Sequence, residues 1–404
     1  MQVNGVALNK GVYLEENEKG TRQIMLIEKV KTAQVLKSKP TSSSFTAIFV
    51  LFVLFIWECS SSAPSVIWAD EKPKHHTENG FRNYPVIPDP PSVGVAFYLR
   101  RTWGSFVLPD VPPDHYFSEN KAIEQYEQLK GKNSITWLGH ATFLLRLGGK
   151  TILTDPFLTE YASPFWIFGP RRYVQPGISL KNLPLIDILI VSHNHLDHLD
   201  EETVESLEGK ETMRVFVPLG LKPFFQDRGF VFIEELDWNE SVKYDGLKLT
   251  CLPAVHYSGR STGDKNKTLW CSWAIEASTG KYFFAGDTAA SPTIFKKIGD
   301  NHGPFQLAMI PIGAYQTREN WPPTHLTPEQ AIELKKDVKA NIAVAMHWGT
   351  IELSDEPHFE PAKRFDKSAR EHGIISDEAW IMKIGETRLL PVTHDIRGKS
   401  LLDS

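Results

Sequence analysis

A dense group of metal-binding side chains constrains this chain more than any other feature of its sequence. Residues 192–200 read Ser-His-Asn-His-Leu-Asp-His-Leu-Asp, so three imidazoles and one carboxylate fall in the pattern H-x-H-x-D-H. Titratable side chains packed this closely repel one another or lose hydration unless a metal ion uses them. The apolar run 186–191 just before them is typical of a buried strand. The pattern therefore predicts a metal site at a strand end, with a solvated histidine-rich loop as the alternative.

Three further candidate ligands each follow an apolar, strand-like run. These runs and ligands are 247–255 with His256, 282–286 with Asp287, and 342–346 with His347. A pair of zinc ions about 3.5–4 Å apart needs roughly six or seven protein ligands, one of them a bridging carboxylate. A single histidine at a strand end is common in any fold. In combination with the first motif, the three residues predict a dinuclear centre.

The order of these motifs resembles that of the metallo-β-lactamase superfamily. A closer resemblance is to the phospholipases D that hydrolyse N-acylphosphatidylethanolamine, and it extends from about Ile135 to Glu386. Besides the first motif, the blocks that carry it are WLGHAT (137–142), LTDP (153–156), FVPLG (216–220), ELDW (235–238), LW and SW (269–273), FAGDT (284–288), IPIGAY (310–315) and HWGT (347–350). The superfamily motif alone does not select a substrate. The tryptophan-bearing blocks and PIGAY are more specific for the phospholipase branch.

The resemblance implies an α/β protein with the metallo-β-lactamase fold, a four-layer αβ/βα sandwich with a dinuclear metal site at one edge. It implies two Zn²⁺ per chain, with Asp287 as the bridging ligand and Asp197 and Asp287 both catalytic. The remaining ligands it implies are His193, His195 and His256 for one ion, and Asp197, His198 and His347 for the other. From the residue pattern alone, the interleaved strands and helices predict only an α/β protein.

Further site residues follow from the same resemblance. His325 is the candidate catalytic group near the leaving oxygen, although a surface loop histidine is the alternative. Asp155 and His140 are expected to orient ligand imidazoles through hydrogen bonds, and for His140 a purely structural bond is equally compatible. The expected substrate contacts are Leu196, Tyr315 and His325, and Leu196 stands where we expect a tyrosine in vertebrate members.

The implied activity is zinc-dependent hydrolysis of N-acylphosphatidylethanolamine to an N-acylethanolamine and phosphatidic acid. Two cations suit a phosphodiester because they hold the charge that develops on its oxygens. One alternative is a lactonase or hydrolase of the same fold that acts on a small phosphorylated substrate. Another is a non-enzymatic membrane protein that keeps the fold as a scaffold.

Composition limits the possible partners. The chain has 404 residues with 44 basic and 49 acidic side chains, a net charge of −5, so no nucleic-acid partner is expected. Three cysteines do not make a disulfide framework. The expected partner is a phospholipid in a membrane, and the family resemblance suggests a homodimer. The pairs at 100–101 and 171–172 are the local basic groups that could meet lipid phosphate.

The chain divides into five predicted regions: a polar, basic tail (1–44), an apolar signal or anchor segment (45–57), a linker with a Pro-rich strap (58–118), the catalytic domain (119–392) and a C-terminal tail (393–404). The thirteen apolar residues 45–57 are shorter than the roughly 20 of a membrane-spanning helix and match the core of a signal sequence. We therefore expect membrane association, at a Golgi-like endomembrane by resemblance, with a cytoplasmic, peripheral protein as the alternative.

Local signals predict several elements of the catalytic domain. Residues 119–130 and 362–372 read as helices, and 135–138, 142–147 and 150–154 as strands joined by turns, with Gly148-Gly149 as a hairpin. Thr327-Pro-Glu-Gln330 is typical of a helix start, with threonine as the N-cap and glutamine three residues later.

Overall fold

The computed structural model describes residues 12–16, 22–26, 73–88, 102–104, 106–163, 169–261, 263–316 and 323–391. The chain forms two compact units, Met1–Asp70 and Glu71–Ser404. The apolar segment 45–57, the basic pair 100–101 and the C-terminal tail 393–404 lie outside the described residues. None of the helices that are described has the length and apolar character required to cross a membrane.

In the first unit, strands β1 (Val12–Glu16) and β2 (Arg22–Leu26) pair antiparallel, with Val12 opposite Leu26. The sequence analysis predicted only a polar tail here. The signal it missed is two short apolar runs, 12–14 and 24–26, which contain the β-branched and aromatic residues that strands favour.

The first sheet of the second unit has seven strands in the order β16-β3-β4-β5-β6-β7-β8. Its strands are β3 (Ser134–Gly139), β4 (Thr142–Leu147), β5 (Lys150–Thr154), β6 (Ile188–Ile190), β7 (Arg214–Pro218), β8 (Phe232–Leu236) and β16 (Thr387–Leu389). Strands β16 to β5 pair antiparallel, and β5 to β8 pair parallel. The central parallel strands β6 and β7 are almost wholly buried and rich in Ile, Leu and Val, as strands covered on both faces must be.

The second sheet also has seven strands, in the order β15-β14-β13-β12-β11-β10-β9. Its strands are β9 (Ser241–Tyr244), β10 (Leu247–Leu252), β11 (Ser272–Ala277), β12 (Gly280–Phe284), β13 (Phe305–Pro311), β14 (Ala340–Met346) and β15 (Ala379–Trp380). Strands β9 to β12 pair antiparallel and β12 to β15 parallel, so this sheet repeats the mixed pattern of the first.

Helices cover the outer faces of the two sheets. They are α1 (Glu119–Gln128), α2 (Glu201–Ser206), α3 (Lys222–Gln226), α4 (Pro292–Asn301), α5 (Pro328–Asp337) and α6 (Glu360–Glu371). The largest buried cluster contains Trp137 and Phe143 of the first sheet together with Trp273 of the second. A separate cluster packs α1, α2 and α3 on the first sheet, and α4, α5 and α6 pack on the second. This arrangement confirms the predicted four-layer αβ/βα sandwich.

Most of the locally predicted elements are present with shifted ends. The predicted helix at 119–130 is α1, and the helix predicted at 362–372 starts two residues earlier, at Glu360. Helix α5 has the predicted capping box: the Gln330 N–H donates to the Thr327 hydroxyl, and the Thr327 N–H donates to the Gln330 side chain. Local chemistry fixed this helix start because both partners lie within one turn.

The strap at 73–88 lies against the second unit. His75 and His76 contact Asp237 at the β8–β9 turn, and the Phe81 N–H donates to the Asn266 carbonyl. The two histidine contacts join residues about 160 positions apart in the chain. The segment before α1 also contacts the domain, because the His115 ring bonds the Gly349 carbonyl at 2.7 Å.

Candidate metal centre

The candidate centre lies where strands of both sheets end at the same edge of the sandwich. The Trp273 indole donates to the Val191 carbonyl, and the Cys271 N–H donates to the Ser192 carbonyl, both at 2.9 Å. These two hydrogen bonds join the sheets beside the first motif. Gly286 has φ +58°, and a Cβ there would come within 2.5 Å of the Ser192 side chain. Glycine before Asp287 therefore permits the close approach of the two sheets.

The first group of donor atoms contains His193, His195, His256 and Asp287, whose ligand atoms lie within 4.8 Å of one another. Nε2 of His193 lies 2.8 Å and Nε2 of His256 lies 3.2 Å from Nδ1 of His195. The Asp287 carboxylate lies 3.8 Å from His193 and 3.6 Å from His256. Three imidazole nitrogens and a carboxylate oxygen match the donor set of a zinc site.

The second group contains His140, Asp197, His198 and His347. The Asp197 carboxylate lies 3.5 Å from Nε2 of both His198 and His347, and it accepts a 2.8 Å hydrogen bond from His140. His140 therefore contacts a candidate ligand, as expected, although it holds a carboxylate and not an imidazole.

Asp287 joins the two groups. Besides its contacts in the first group, its carboxylate lies 3.1 Å from Nε2 of His198 and 3.2 Å from Nε2 of His347. The structure thus brings all seven predicted ligands together, with Asp287 in the shared position where a bridging carboxylate would lie.

Buried polar atoms without hydrogen-bond partners test whether a metal fits this cluster. Among the described residues, Nε2 of His198, Nε2 of His347 and Oδ1 of Asp287 are buried and make no well-aligned hydrogen bond, although each lies 3.1–3.2 Å from an atom of the opposing side chain. A buried polar atom without a partner costs free energy. Each of these three atoms therefore needs a group to which it can donate a lone pair. Metal ions satisfy all three at once, and the residues present therefore fit a metal centre.

The electrostatics of the first group favour neutral ligands. Burial lowers the pKa of His193 and of His256 well below the ordinary value. Burial also lowers the pKa of His195 to about 4, partly opposed by the charge of Asp197. These imidazoles are uncharged at neutral pH, which leaves their lone pairs available for a cation.

Asp287 and His347 show the opposite effect. Burial raises the pKa of Asp287, but the imidazoles of His198 and His347 outweigh it and hold this pKa well below its usual range. Burial lowers the pKa of His347, but Asp287 and Asp197 outweigh it and raise the pKa to about 9. A metal ion that binds here must therefore displace protons held between these imidazoles and carboxylates.

Asp155 fixes the orientation of the first motif. Its fully buried carboxylate bonds Nδ1 of His198 at 2.6 Å and accepts from the Ser192 N–H and hydroxyl, both at 2.6 Å. The Ser192 hydroxyl in turn lies 2.9 Å from Nδ1 of His193. Asp155 thus contacts a candidate ligand imidazole, and bonds of this kind fix the ring and its tautomer.

Three site residues have left-handed backbone conformations directly after a strand. They are His140 after β3 (φ +54°), Asp155 after β5 (φ +30°) and His347 after β14 (φ +61°). Residues other than glycine rarely adopt positive φ, and such strain persists only where the surroundings enforce it. The His347 N–H donates to the His140 carbonyl at 3.0 Å, which ties two of these residues together.

The three residues expected to meet the substrate differ in position. Nδ1 of His325 lies 3.8 Å from the Asp287 carboxylate, so this histidine is at the centre. Leu196 packs beside the centre in an apolar cluster with Phe157 and Ile351. The Tyr315 hydroxyl donates to Glu360 on α6 at 3.1 Å, a contact that ties Tyr315 to a helix.

Asn83 is a site residue that the sequence analysis missed. Its side-chain amide donates to the His256 carbonyl at 2.8 Å, and its side-chain oxygen accepts from the His256 N–H at 3.1 Å. Asn83 is only 4% exposed. Nothing in the local pattern indicates this role, because the two residues are 173 positions apart.

Similarity to known proteins agrees with this geometry. Residues 150–348 match the family of the beta-lactamase superfamily domain. An uncharacterised protein of Mycobacterium tuberculosis is 40% identical over 249 residues, which are 60% of this chain and 66% of that protein. This chain therefore covers slightly less than two thirds of the mycobacterial relative's length.

Two relatives have descriptions that give an activity. The N-acyl-phosphatidylethanolamine-hydrolyzing phospholipase D 1 of Caenorhabditis elegans is 39% identical over 257 residues, 61% of this chain and 72% of that protein. The mitochondrial N-acyl-phosphatidylethanolamine-hydrolyzing phospholipase D of Saccharomyces cerevisiae is 34% identical over 272 residues, 66% of this chain and 58% of that protein.

Solved structures share the fold at low identity. The isothiocyanate hydrolase from Delia radicum gut bacteria has a TM-score of 0.52 at 22% identity, covering 64% of this chain and 100% of that chain. A possible metal-dependent hydrolase from Veillonella parvula has a TM-score of 0.53 at 20% identity, with the same coverage. Fold, donor groups and relatives agree that this chain belongs to the metallo-β-lactamase superfamily.

Proposed function

We propose that this protein is a phosphodiesterase of the phospholipase D type that converts N-acylphosphatidylethanolamine to an N-acylethanolamine and phosphatidic acid. The observation that carries the proposal is the similarity to two enzymes described with this activity, one of them 39% identical over 257 residues. Two metal groups that share one carboxylate support it, because two cations stabilise charge on both sides of an in-line displacement at phosphorus.

The side chains of the centre supply orientation and charge. When bound, two divalent ions, with zinc as our candidate, would polarise the phosphodiester and generate a nucleophile from water. Asp155 and His140 hold His198 and Asp197 in place through bonds of 2.6 and 2.8 Å. Burial lowers the pKa of His325 to about 4, so this side chain faces the reacting oxygens as a neutral imidazole. A neutral ring can still donate one N–H to a leaving oxygen.

The apolar cluster beside the centre suits a lipid. Phe157, Ala162 and Ile351 are buried there, and Leu196 and Leu353 pack against them while remaining partly exposed. Contact with hydrocarbon next to the phosphodiester would stabilise a phospholipid, and a small phosphorylated sugar would gain little from it. Leu196 is therefore our candidate contact to the lipid part of the substrate.

The reaction is tested with purified full-length protein and vesicles that contain N-acylphosphatidylethanolamine. We expect N-acylethanolamine and phosphatidic acid as products, and ¹⁸O from labelled water in the phosphatidic acid, because attack is at phosphorus. Asp287→Ala is the inactive control. Label in the N-acylethanolamine would contradict the mechanism, and equal hydrolysis of phosphatidylcholine would contradict the substrate. Activity confined to small phosphorylated lactones would favour the alternative hydrolase.

We also propose that the protein works at a membrane, at a Golgi-like endomembrane, and as a homodimer. The apolar segment 45–57 supports membrane attachment, because its thirteen residues bind by burial and not by charge. Full-length protein should therefore stay with membranes in high salt. Release by salt would instead point to basic groups, and a monomer in light scattering would contradict the dimer.

A further inference from the structure

A second cluster of metal-binding side chains lies outside the centre, where the strap meets the β8–β9 turn. Nε2 of His75 lies 2.6 Å from Oδ1 of Asp237, and Nε2 of His76 lies 2.7 Å from Oδ2 of the same carboxylate. The ligand atoms of all three residues lie within 4.8 Å of one another. Two neighbouring histidines thus converge on one acid that is more than 160 residues away.

The rings are held in this orientation by aromatic neighbours and by the backbone. His75 stacks on Trp238 with 4.2 Å between ring centroids, and His76 meets the edge of Phe81 at 5.1 Å. The His75 carbonyl accepts from the Arg82 N–H, and the His76 N–H donates to the Pro73 carbonyl, both at 2.8 Å. Ligands fixed in advance lose little conformational freedom when they bind an ion.

The position of the cluster gives partial access to solvent. Side-chain exposure is 10% for His75, 18% for His76 and 15% for Asp237. An ion could therefore enter from water, and a water molecule could complete its coordination. The Trp238 N–H also donates to Oδ1 of Asp237 at 2.7 Å, which orients the carboxylate. Supporting bonds of this kind are typical of metal sites.

We propose that His75, His76 and Asp237 form a separate site for a divalent transition-metal ion, with zinc as the first candidate. Two imidazole nitrogens and one carboxylate are ligands that zinc prefers, with a fourth, open position for water. Binding would replace the two hydrogen bonds to Asp237 with metal–ligand bonds. The nitrogen–oxygen separations would lengthen to roughly 3.4 Å, as metal–ligand distances of about 2.1 Å at tetrahedral angles require.

The site would fasten the strap to the domain. The same strap carries Asn83, which bonds both backbone groups of His256. An ion at residues 75, 76 and 237 would therefore help to keep the two Asn83–His256 hydrogen bonds formed, although its own ligands are separate from the catalytic ligands. This role does not depend on which substrate the enzyme hydrolyses.

Zinc content tests the proposal without reference to activity. Full-length protein is stripped with a chelator, reloaded with Zn²⁺, desalted and measured by elemental analysis. His76→Gln is the test variant because glutamine keeps an N–H donor for Asp237 but is not a zinc ligand. His372→Gln is the matched control, since His372 pairs with Glu333 outside both clusters. We expect His76→Gln to hold one zinc equivalent less than the wild type and the control.

A double variant separates the two kinds of site. Asp287→Ala should lose the catalytic ions but keep about one zinc equivalent, and Asp287→Ala with His76→Gln should keep none. Equal zinc content in wild type and His76→Gln would overturn the proposal, and the three side chains would then form only hydrogen bonds. If the variant fails to fold, a crystal of the wild type supplies the test. An anomalous zinc peak between the three ligand atoms supports the site, and no peak there overturns it.

Discussion

At the scale of single residues, Asp287 is the side chain on which the metal centre depends. Its carboxylate lies within 3.8 Å of imidazoles from both donor groups, including 3.1 Å from His198 and 3.6 Å from His256. Its pKa is held well below the usual range, mainly by His198 and His347 against the effect of burial. An ionised, buried carboxylate between imidazoles is stable only with compensating positive charge. Metal ions bound in the two donor groups would provide that charge.

Replacement of Asp287 by alanine should therefore empty both donor groups. We expect hydrolytic activity to fall by more than about 100-fold, because the loss of mere supporting bonds to a metal site already costs 10–100-fold. Elemental analysis and initial rates measure the two effects. Asp366→Ala, a surface change on α6 beside Arg370, is the control and should leave both unchanged. Full metal content in Asp287→Ala would contradict a bridging role.

Asn83 is the second residue with a specific prediction. Its side chain bonds the N–H and the carbonyl of His256, so it fixes the backbone of a candidate ligand. Asn83→Ala should weaken metal binding in the first group by about 10–100-fold, as is common for groups that support ligands. Competition with a chelator measures this change. Asn182→Ala, which removes only an exposed bond to Glu119, is the control. Unchanged chelator resistance in Asn83→Ala would show that the Asn83–His256 hydrogen bonds, here called the Asn83 clamp, have no effect on metal affinity.

At the scale of elements, the sequence predicted those parts of the fold that local chemistry determines. Each ligand-bearing run was correctly identified as a strand that ends before its ligand, because apolar runs and turn residues lie next to each other in the chain. The fold class and the grouping of ligands came from the motif order. The Asn83 clamp and the His75–His76–Asp237 cluster could not be predicted, because each depends on contacts between residues more than 160 positions apart.

The start of α5 offers a prediction at this scale. The Thr327 side chain accepts from the Gln330 N–H, and Thr324 just before it accepts from Nδ1 of His256 at 3.0 Å. Thr327→Ala should lower the free energy of unfolding by about 1 kcal/mol, the usual cost of losing such a cap. Urea denaturation measures it. Ser291→Ala at α4 is the matched control, because Ser291 makes no side-chain cap bond. Equal losses in both variants would contradict the capping argument.

At the scale of the whole molecule, the boundary of the functional unit matters most. The predicted domain starts at residue 119, whereas the compact second unit starts at Glu71. The strap is the reason for the difference, because it reaches His256 through Asn83 and Asp237 through His75 and His76. Composition marked this segment as charged and Pro-rich, which predicted a linker or strap but not the residues that it contacts.

Two truncations test whether the strap belongs to the enzyme. Deletion of residues 1–70 removes only the first compact unit, so the remaining protein should keep its metal content and thermal midpoint. Deletion of residues 1–88 also removes the clamp on His256 and the bonds to Asp237, and it should lower both. Elemental analysis and thermal unfolding compare the two proteins directly. Because each lacks the apolar segment 45–57, differences in membrane attachment cannot account for the result. Equal metal content after both deletions would mean that the strap is a passive linker and that His256 is positioned by its own sheet.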